Sequence, residues 1–237
     1  MSDWKARRFW KEASVAEGAA GFEVRLDGRP VRTPLKTLLA LPTRAMAEAV
    51  AAEWQAQEGE IDPGAMPMTR SANAALDKVT PQHAEVSAML AGYAETDLLC
   101  HRADHPDGLI NLQNKGWDPI LDWAAERYDA RLVVVQGILP AEHPAASLAA
   151  YHAVVSGFRP FSMTALHDLV TLSGSLVLAL WVADGAGDPA AAWDLSRIDE
   201  DWQIAQWGAD EEAAEAAEIK RAAFLHAARF LALGGGA

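Results

Sequence analysis

The chain has 237 residues, 51% of them hydrophobic and 22% charged, and its 33 acids against 20 lysines and arginines leave a formal net charge of −13. This is a globular composition, long enough for one large domain or two small ones, and its sign disfavours duplex nucleic acid and anionic membranes, which are bound through Lys and Arg. The lone Cys100 cannot close an internal disulfide, so the core must hold the fold in a compartment that need not be oxidising.

Along the chain, the start carries Lys5, Arg7 and Arg8 with no apolar stretch behind them, and Asp3, Glu12 and Glu17 are acids that a transit peptide avoids. Neither a secretory signal nor an organellar leader is expected. Phe22, Val24 and Leu26 then alternate with polar neighbours before Asp27-Gly28, a pair suited to the positive φ angles of a tight hairpin. Val31 resumes on the return strand, which Pro30 and Pro34 mark as short or at an edge. Thr43 is placed to cap a helix running to Glu58, with Met46, Val50 and Trp54 on one face.

From Met66 onward helical spacing dominates. Thr80-Pro81 predicts a helix start, with Val86, Met89, Leu90 and Tyr93 on its face, and Asn114 to Tyr128 predicts another, entered or restarted at Trp117-Asp118-Pro119. The run LVVVQGI within Arg131 to Ile138 reads as a short buried strand. Helices follow over residues 145–157, 162–183, 189–206 and 210–232, broken at Phe158-Arg159-Pro160, at Asp184 to Asp188 and at Trp207-Gly208. The apolar run from Leu176 to Ala183 is far below the roughly 20 residues that cross a bilayer and reads as a core helix. The pattern predicts an α+β fold: a small N-terminal α/β domain with a hairpin-rich sheet over residues 1–75, then a larger, mainly α-helical bundle over 76–237.

The chemistry-bearing motifs are sparse. There is no GxxxxGK[ST] phosphate loop and no GxGxxG turn, and Gly185 and Gly187 lie between Asp184 and Asp188, which would repel a phosphate. His101 and His105, at i and i+4 beside Cys100, could face one ion from a helix. Asp104 and Pro106 point to a helix end, however, and no second Cys/His pair supplies further ligands, so a buried thiol beside surface histidines is expected and no metal. Ser173-Gly174-Ser175 is not a GxSxG elbow and reads as small residues where helices pack closely. The runs Asp199-Glu200-Asp201 and Asp210-Glu211-Glu212 could do acid–base work only if burial shifted them, and they read as solvated.

Two features remain. Acid is concentrated late: residues 184–218 hold eleven acids and one base, whereas 1–36 hold eight bases and five acids. Nine tryptophans are present, several beside charge, as in Trp117-Asp118, Asp122-Trp123 and Asp201-Trp202. Aromatic anchors among charges resemble interface hot spots and favour a binding protein.

Arg8-Phe9-Trp10-Lys11, LDGRPVRTP from Leu26, AAEWQAQ from Ala51, MPMTRSANAALD from Met66, ETDLLCHRA from Glu95, WDPILDW from Trp117, SGSLVLAL from Ser173 and DEDWQIAQWGADEEA from Asp199 occur in one order over nearly the whole chain. In these blocks the chain resembles the family of ATP synthase assembly chaperones known as F1 complex assembly factor 2. The resemblance implies a small α/β domain followed by a helical bundle. It also implies a chaperone without a cofactor, which binds the unassembled α subunit of F1-ATPase until that subunit meets β, and a bacterial, cytoplasmic member, monomeric when free.

The family carries a functionally important carboxylate after a Trp-Gly pair, and Glu211 matches it here. With Asp210, Trp207 and Trp202 it forms the expected client surface, the rings supplying burial and the acids selecting basic groups. Gly28, Trp54 and Asp118-Pro119 have evident architectural roles, and Arg70 and Asn73 are expected to pin the domain junction by hydrogen bonds. The alternatives are a small-molecule enzyme using the carboxylate cluster and a scaffold for another client.

Overall fold

The alternation of Phe22, Val24 and Leu26 becomes strand β2 (Gly21–Leu26), the central strand of an antiparallel sheet in a computed structural model that describes residues 7–137 and 140–236. The reading of residues 1–6 as free of a leader and Ile138 at the end of the expected strand lie outside the described residues. On one side β2 pairs with β1 (Ala13–Gly18), Ala13 facing Leu26 and Gly18 facing Gly21. Its other partners are the two-residue strands β3 (Arg29–Pro30) and β4 (Ala40–Leu41). Asp27 and Gly28 both have positive φ, 46° and 80°, as a primed hairpin turn requires. Asp27 also accepts the backbone N–H groups of Lys11 and Glu12, which hold its carboxyl below the usual range.

Helix α1 (Arg44–Gln55) packs on β1 and β2. Thr43 caps it as predicted, its Oγ1 accepting the Met46 N–H at 3.1 Å. Met46 and Val50 are fully buried and Trp54 is half-buried, meeting the ring of Trp10 edge-on at 5.2 Å. The helix ends three residues short of Glu58. Next comes α2 (Pro67–Ala74), which continues as a π-helical turn, Ala75–Val79, into the Thr80-Pro81 corner. Arg70 is exposed and the buried Oδ1 of Asn73 has no partner, so among the described residues neither makes the hydrogen bonds expected of it. Helix α3 (His83–Gly92) buries Ser87, Leu90 and Ala91 and leaves Met89 exposed, a face rotated from the predicted one.

The chain gathers into two compact units. The first takes residues up to His83 with Pro160–Thr164 and Arg229–Gly236, and the second takes Ala84–Arg159 and Ala165–Ala228. In the first, Thr43 Oγ1 also donates to the Leu233 carbonyl and Phe161 stacks on Phe230, so the chain's last helix returns to the first unit's core.

The second unit is built on α4 (Asp107–Tyr128), an unbroken helix of 22 residues with Pro119 inside it rather than at its start. Proline inside a helix costs about 3 kcal/mol, and burial of Trp117, Ile120, Leu121 and Ala124 around the exposed Pro119 offsets it at about 1.5–3 kcal/mol for each large side chain. The expected strand shrinks to β6 (Val135–Gln136), paired parallel with β5 (His101–Arg102). Arg102, 3% exposed, anchors β5 to α4 through Asp118 at 2.8 Å and Asn114 at 3.2 Å, its guanidinium lying over the Trp117 ring. His101 lies in that strand and His105 is exposed beyond it, so the two never share a helix face; Cys100 is buried, which pushes its thiol up.

After α5 (Ala145–Ser156), the expected helix over 162–183 is two: α6 (Pro160–Ser173) and α7 (Leu176–Ala183). Gly174 ends α6 at φ 72°, a Cβ there would meet nothing within 4 Å, and Ser175 caps α7 by accepting the Leu178 N–H. The Ser173-Gly174-Ser175 run is therefore a corner, not a close helix contact. Asp97, with no exposure, fixes the corner by accepting from Ser175 Oγ at 2.7 Å, from Val177 N and from Leu99 N. The run over 189–206 is likewise two helices, α8 (Pro189–Ser196) and α9 (Ile198–Trp207), separated at Arg197, before α10 (Glu211–Leu233). Among the described residues no helix is long and apolar enough to cross a membrane.

Candidate interaction surface

The acid-rich segment from Asp188 to Glu218 folds by helix-terminus electrostatics. Asp188 caps α8 through the Ala191 N–H, with Pro189 in the first turn. Asp199, Glu200 and Asp201 occupy the first turn of α9, and Asp210 caps α10 through the Ala213 N–H at 2.8 Å, with Glu211 and Glu212 in the turn it opens. Carboxylates at helix N-termini meet the positive end of the macrodipole, worth about 0.3–1 kcal/mol each at the surface. Gly208, at φ 93°, makes the reversal between α9 and α10.

No residue of α9 is fully buried. Helix α10 is exposed from Glu211 to Ala223, apart from the half-buried Ala217 and Arg221, and Phe224 is its first buried residue, packed on Trp193 at 5.7 Å. Three large apolar side chains of this hairpin are exposed: Trp207 is 79% exposed, Ile219 65% and Ile204 40%. Of the eight tryptophans among the described residues, Trp207 alone is exposed; Trp10, Trp117 and Trp193 are core, and Trp54, Trp123, Trp181 and Trp202 are half-buried.

Charge on the hairpin is largely uncompensated. Glu200 pairs with Arg197 at 3.2 Å and Glu218 with Arg221 at 3.6 Å. Among the described residues the carboxylates of Glu211, Glu212 and Glu215 have no hydrogen-bond or ion-pair partner. Asp201 is pushed up by partial burial and by Glu200 and Asp194, against the pull of Arg197.

The four predicted site residues lie together on this hairpin and differ in attachment. Glu211 and Trp207 point into solvent, Asp210 is engaged as a cap, and Trp202 is seated on α4, where a Cβ on Gly108 would come within 2.7 Å of its Cη2. The acids are spread along the exposed surfaces of α9 and α10. A shallow cavity lined by Ala125, Glu126, Asp129, Ala130 and Arg131 contains none of the four.

Sequence reasoning missed the exposed Ile204 and Ile219, and the seat of the hairpin on α4. The seat had a signal: Gly108 and Gly116 stand eight residues apart, on one face of a helix, where their lack of side chains admits a close neighbour.

Residues 7–125 match the family model described as ATP12 chaperone protein. The crystal structure of Atp12 from Paracoccus denitrificans is 49% identical, with a TM-score of 0.95 over 98% of this chain and 100% of that one. A mutant of the same protein, with a lysine in place of one aspartate, gives 0.96 at the same identity and coverage. Protein atp12, mitochondrial, of Schizosaccharomyces pombe is 20% identical over 221 residues, 88% of this chain and 76% of that protein.

Proposed function

The chain belongs to the ATP12 chaperone protein family, and from that premise we propose that it binds the unassembled α subunit of F1-ATPase and shields it until it pairs with β. The observation that carries this reading is that α9 and α10 expose Trp207, Ile204 and Ile219 on the same two helices as the unpaired carboxylates of Glu211, Glu212 and Glu215. A lone α subunit exposes apolar surface meant for β, and such surface aggregates. Covering it by mass action lowers the free concentration of the sticky species with no energy source. The protein thus works by stoichiometric binding and not by turnover, as a cytoplasmic monomer in a bacterial cell. Its client surface comprises Glu211, Asp210 and Trp207, with Trp207 and Glu211 the outward groups, while Trp202, half-buried against Gly108 of α4, supports that surface from behind.

The purified protein is expected to suppress aggregation of isolated bacterial F1 α subunit at a near-equimolar ratio without nucleotide, measured by light scattering. Glu211→Lys is expected to weaken protection several-fold while circular dichroism stays unchanged, because the exposed Glu211 side chain holds nothing else in place. The relative's aspartate-to-lysine mutant matches this chain as closely as the unmutated protein does, so a carboxylate-to-lysine change is compatible with this fold. Aggregation of α undiminished by the wild-type protein would sink the reading, and full protection by Glu211→Lys would remove Glu211 from it.

A further inference from the structure

We infer that Gly108, Gln113 and Trp202 are positioning residues: they set the direction of α9 and so fix where Trp207 is presented. This rests on the hairpin being the client surface. Helix α9 buries none of its residues completely, so a core of its own does not orient it. Its contacts with α4 do, and they run in antiparallel order. At Gly116 a Cβ would fall 2.9 Å from Cδ1 of Ile198, the first residue of α9, and 2.8 Å from Cδ2 of Leu195 in α8. One turn back, Gln113, 1% exposed, donates from Nε2 to Asp199 Oδ1 at 2.6 Å while its Oε1 accepts the Ala103 N–H. Last, Gly108 lies under the ring of Trp202, its absent Cβ 2.7 Å from Cη2 and 3.3 Å from Cζ3.

Helix α4 begins at Asp107, one residue before Gly108, so Trp202 is the last rung of the seat. Trp207 stands five residues further, about 7.5 Å along the axis, with no further α4 residue beneath it. A tilt introduced at Gly108 is therefore carried, undamped, to Trp207 and the reversal into α10. Trp202 is a rigid ring and cannot swing its far edge away as a flexible chain would, so a methyl group at position 108 must lift the helix or turn the ring.

Size complementarity makes this testable. Binding of purified F1 α subunit is measured for the wild type, Gly108→Ala, Trp202→Phe and the double variant, together with the urea midpoint of each. Gly108→Ala is expected to weaken binding about tenfold. Trp202→Phe, whose shorter ring lacks the clashing atoms, is expected to bind close to the wild type and to restore binding in the double variant to within about twofold. Rescue is the readout that general damage to the fold would not produce. Equal binding by Gly108→Ala and wild type overturns the inference, as does a loss in Gly108→Ala that Trp202→Phe does not repair. A loss in Trp202→Phe alone as large as in Gly108→Ala also overturns it, since Trp202 would then be a contact. If the wild type itself does not bind α, the functional reading fails and this inference with it, an outcome separable from the other three.

Discussion

Asp97 carries the largest single-residue consequence. It is a carboxyl group with no exposure whose two oxygens serve the Ser175 hydroxyl and the Val177 and Leu99 N–H groups, so it joins the segment before β5 to the first turn of α7. Removing an acceptor strands its donors, and each stranded buried donor costs about 1–3 kcal/mol. Asp97→Ala is expected to lower stability by at least about 3 kcal/mol, read as a shift in the urea midpoint with an unchanged slope. Asp97→Asn keeps the volume and one acceptor and should lose less. The variants also differ in pH response. Burial raises the carboxyl of Asp97 against the pull of Val177, Ser175 and Leu99, so the folded state holds this proton more tightly than the unfolded chain does. The cost of ionising it is absent below the unfolded value of 3.8 and grows as pH rises toward the folded one. Stability from this group therefore declines upward through that window, and Asp97→Asn, which cannot titrate, should lack that decline.

Pro119 in the interior of α4 is a conflict at the level of the element. Its ring removes one helical hydrogen bond and crowds the carbonyl of Lys115, yet the helix runs through it because Trp117, Ile120 and Leu121 are buried on either side. Since Pro119 itself is exposed, Pro119→Ala should recover up to about 3 kcal/mol, seen as a higher thermal midpoint; a lower midpoint would show that proline's geometry is required there. The same conflict explains what could be read from sequence. The Asp27-Gly28 turn and the Thr43 cap were legible because each is decided by a few adjacent residues. Pro119 was misread as a helix start because local propensity was outvoted by burial that only the tertiary fold supplies. The corner at Gly174 was misread because the partner that fixes it, Asp97, is 78 residues from Ser175. In the interaction surface, the acids and Trp207 could be picked out by composition, whereas the role of Trp202 depends on a glycine 94 positions earlier, and no local pattern encodes that.

Across the molecule, the −13 charge is unevenly spread, with eleven acids and one base between residues 184 and 218. Eight of these acids lie on α9, α10 and the link between them, where Trp207 and Ile219 are exposed, and they act on approach as well as in the bound state: a one-signed field accelerates encounter with a basic patch, while the exposed apolar side chains, blind to salt, set how long the complex lasts. The two contributions separate by ionic strength, since the screening length falls from about 10 Å at 0.1 M to about 3 Å at 1 M. Association of the protein with isolated F1 α subunit is expected to slow by about tenfold or more between low salt and 0.5 M, with the dissociation rate changing much less. Glu211→Lys should flatten the salt dependence of the association rate, and Trp207→Ala should leave that dependence intact and speed dissociation. Stopped-flow fluorescence measures both rates. Should Trp207→Ala alter only the salt dependence, or Glu211→Lys only the dissociation rate, the division of labour between ring and carboxylate would be the reverse of the one the surface suggests.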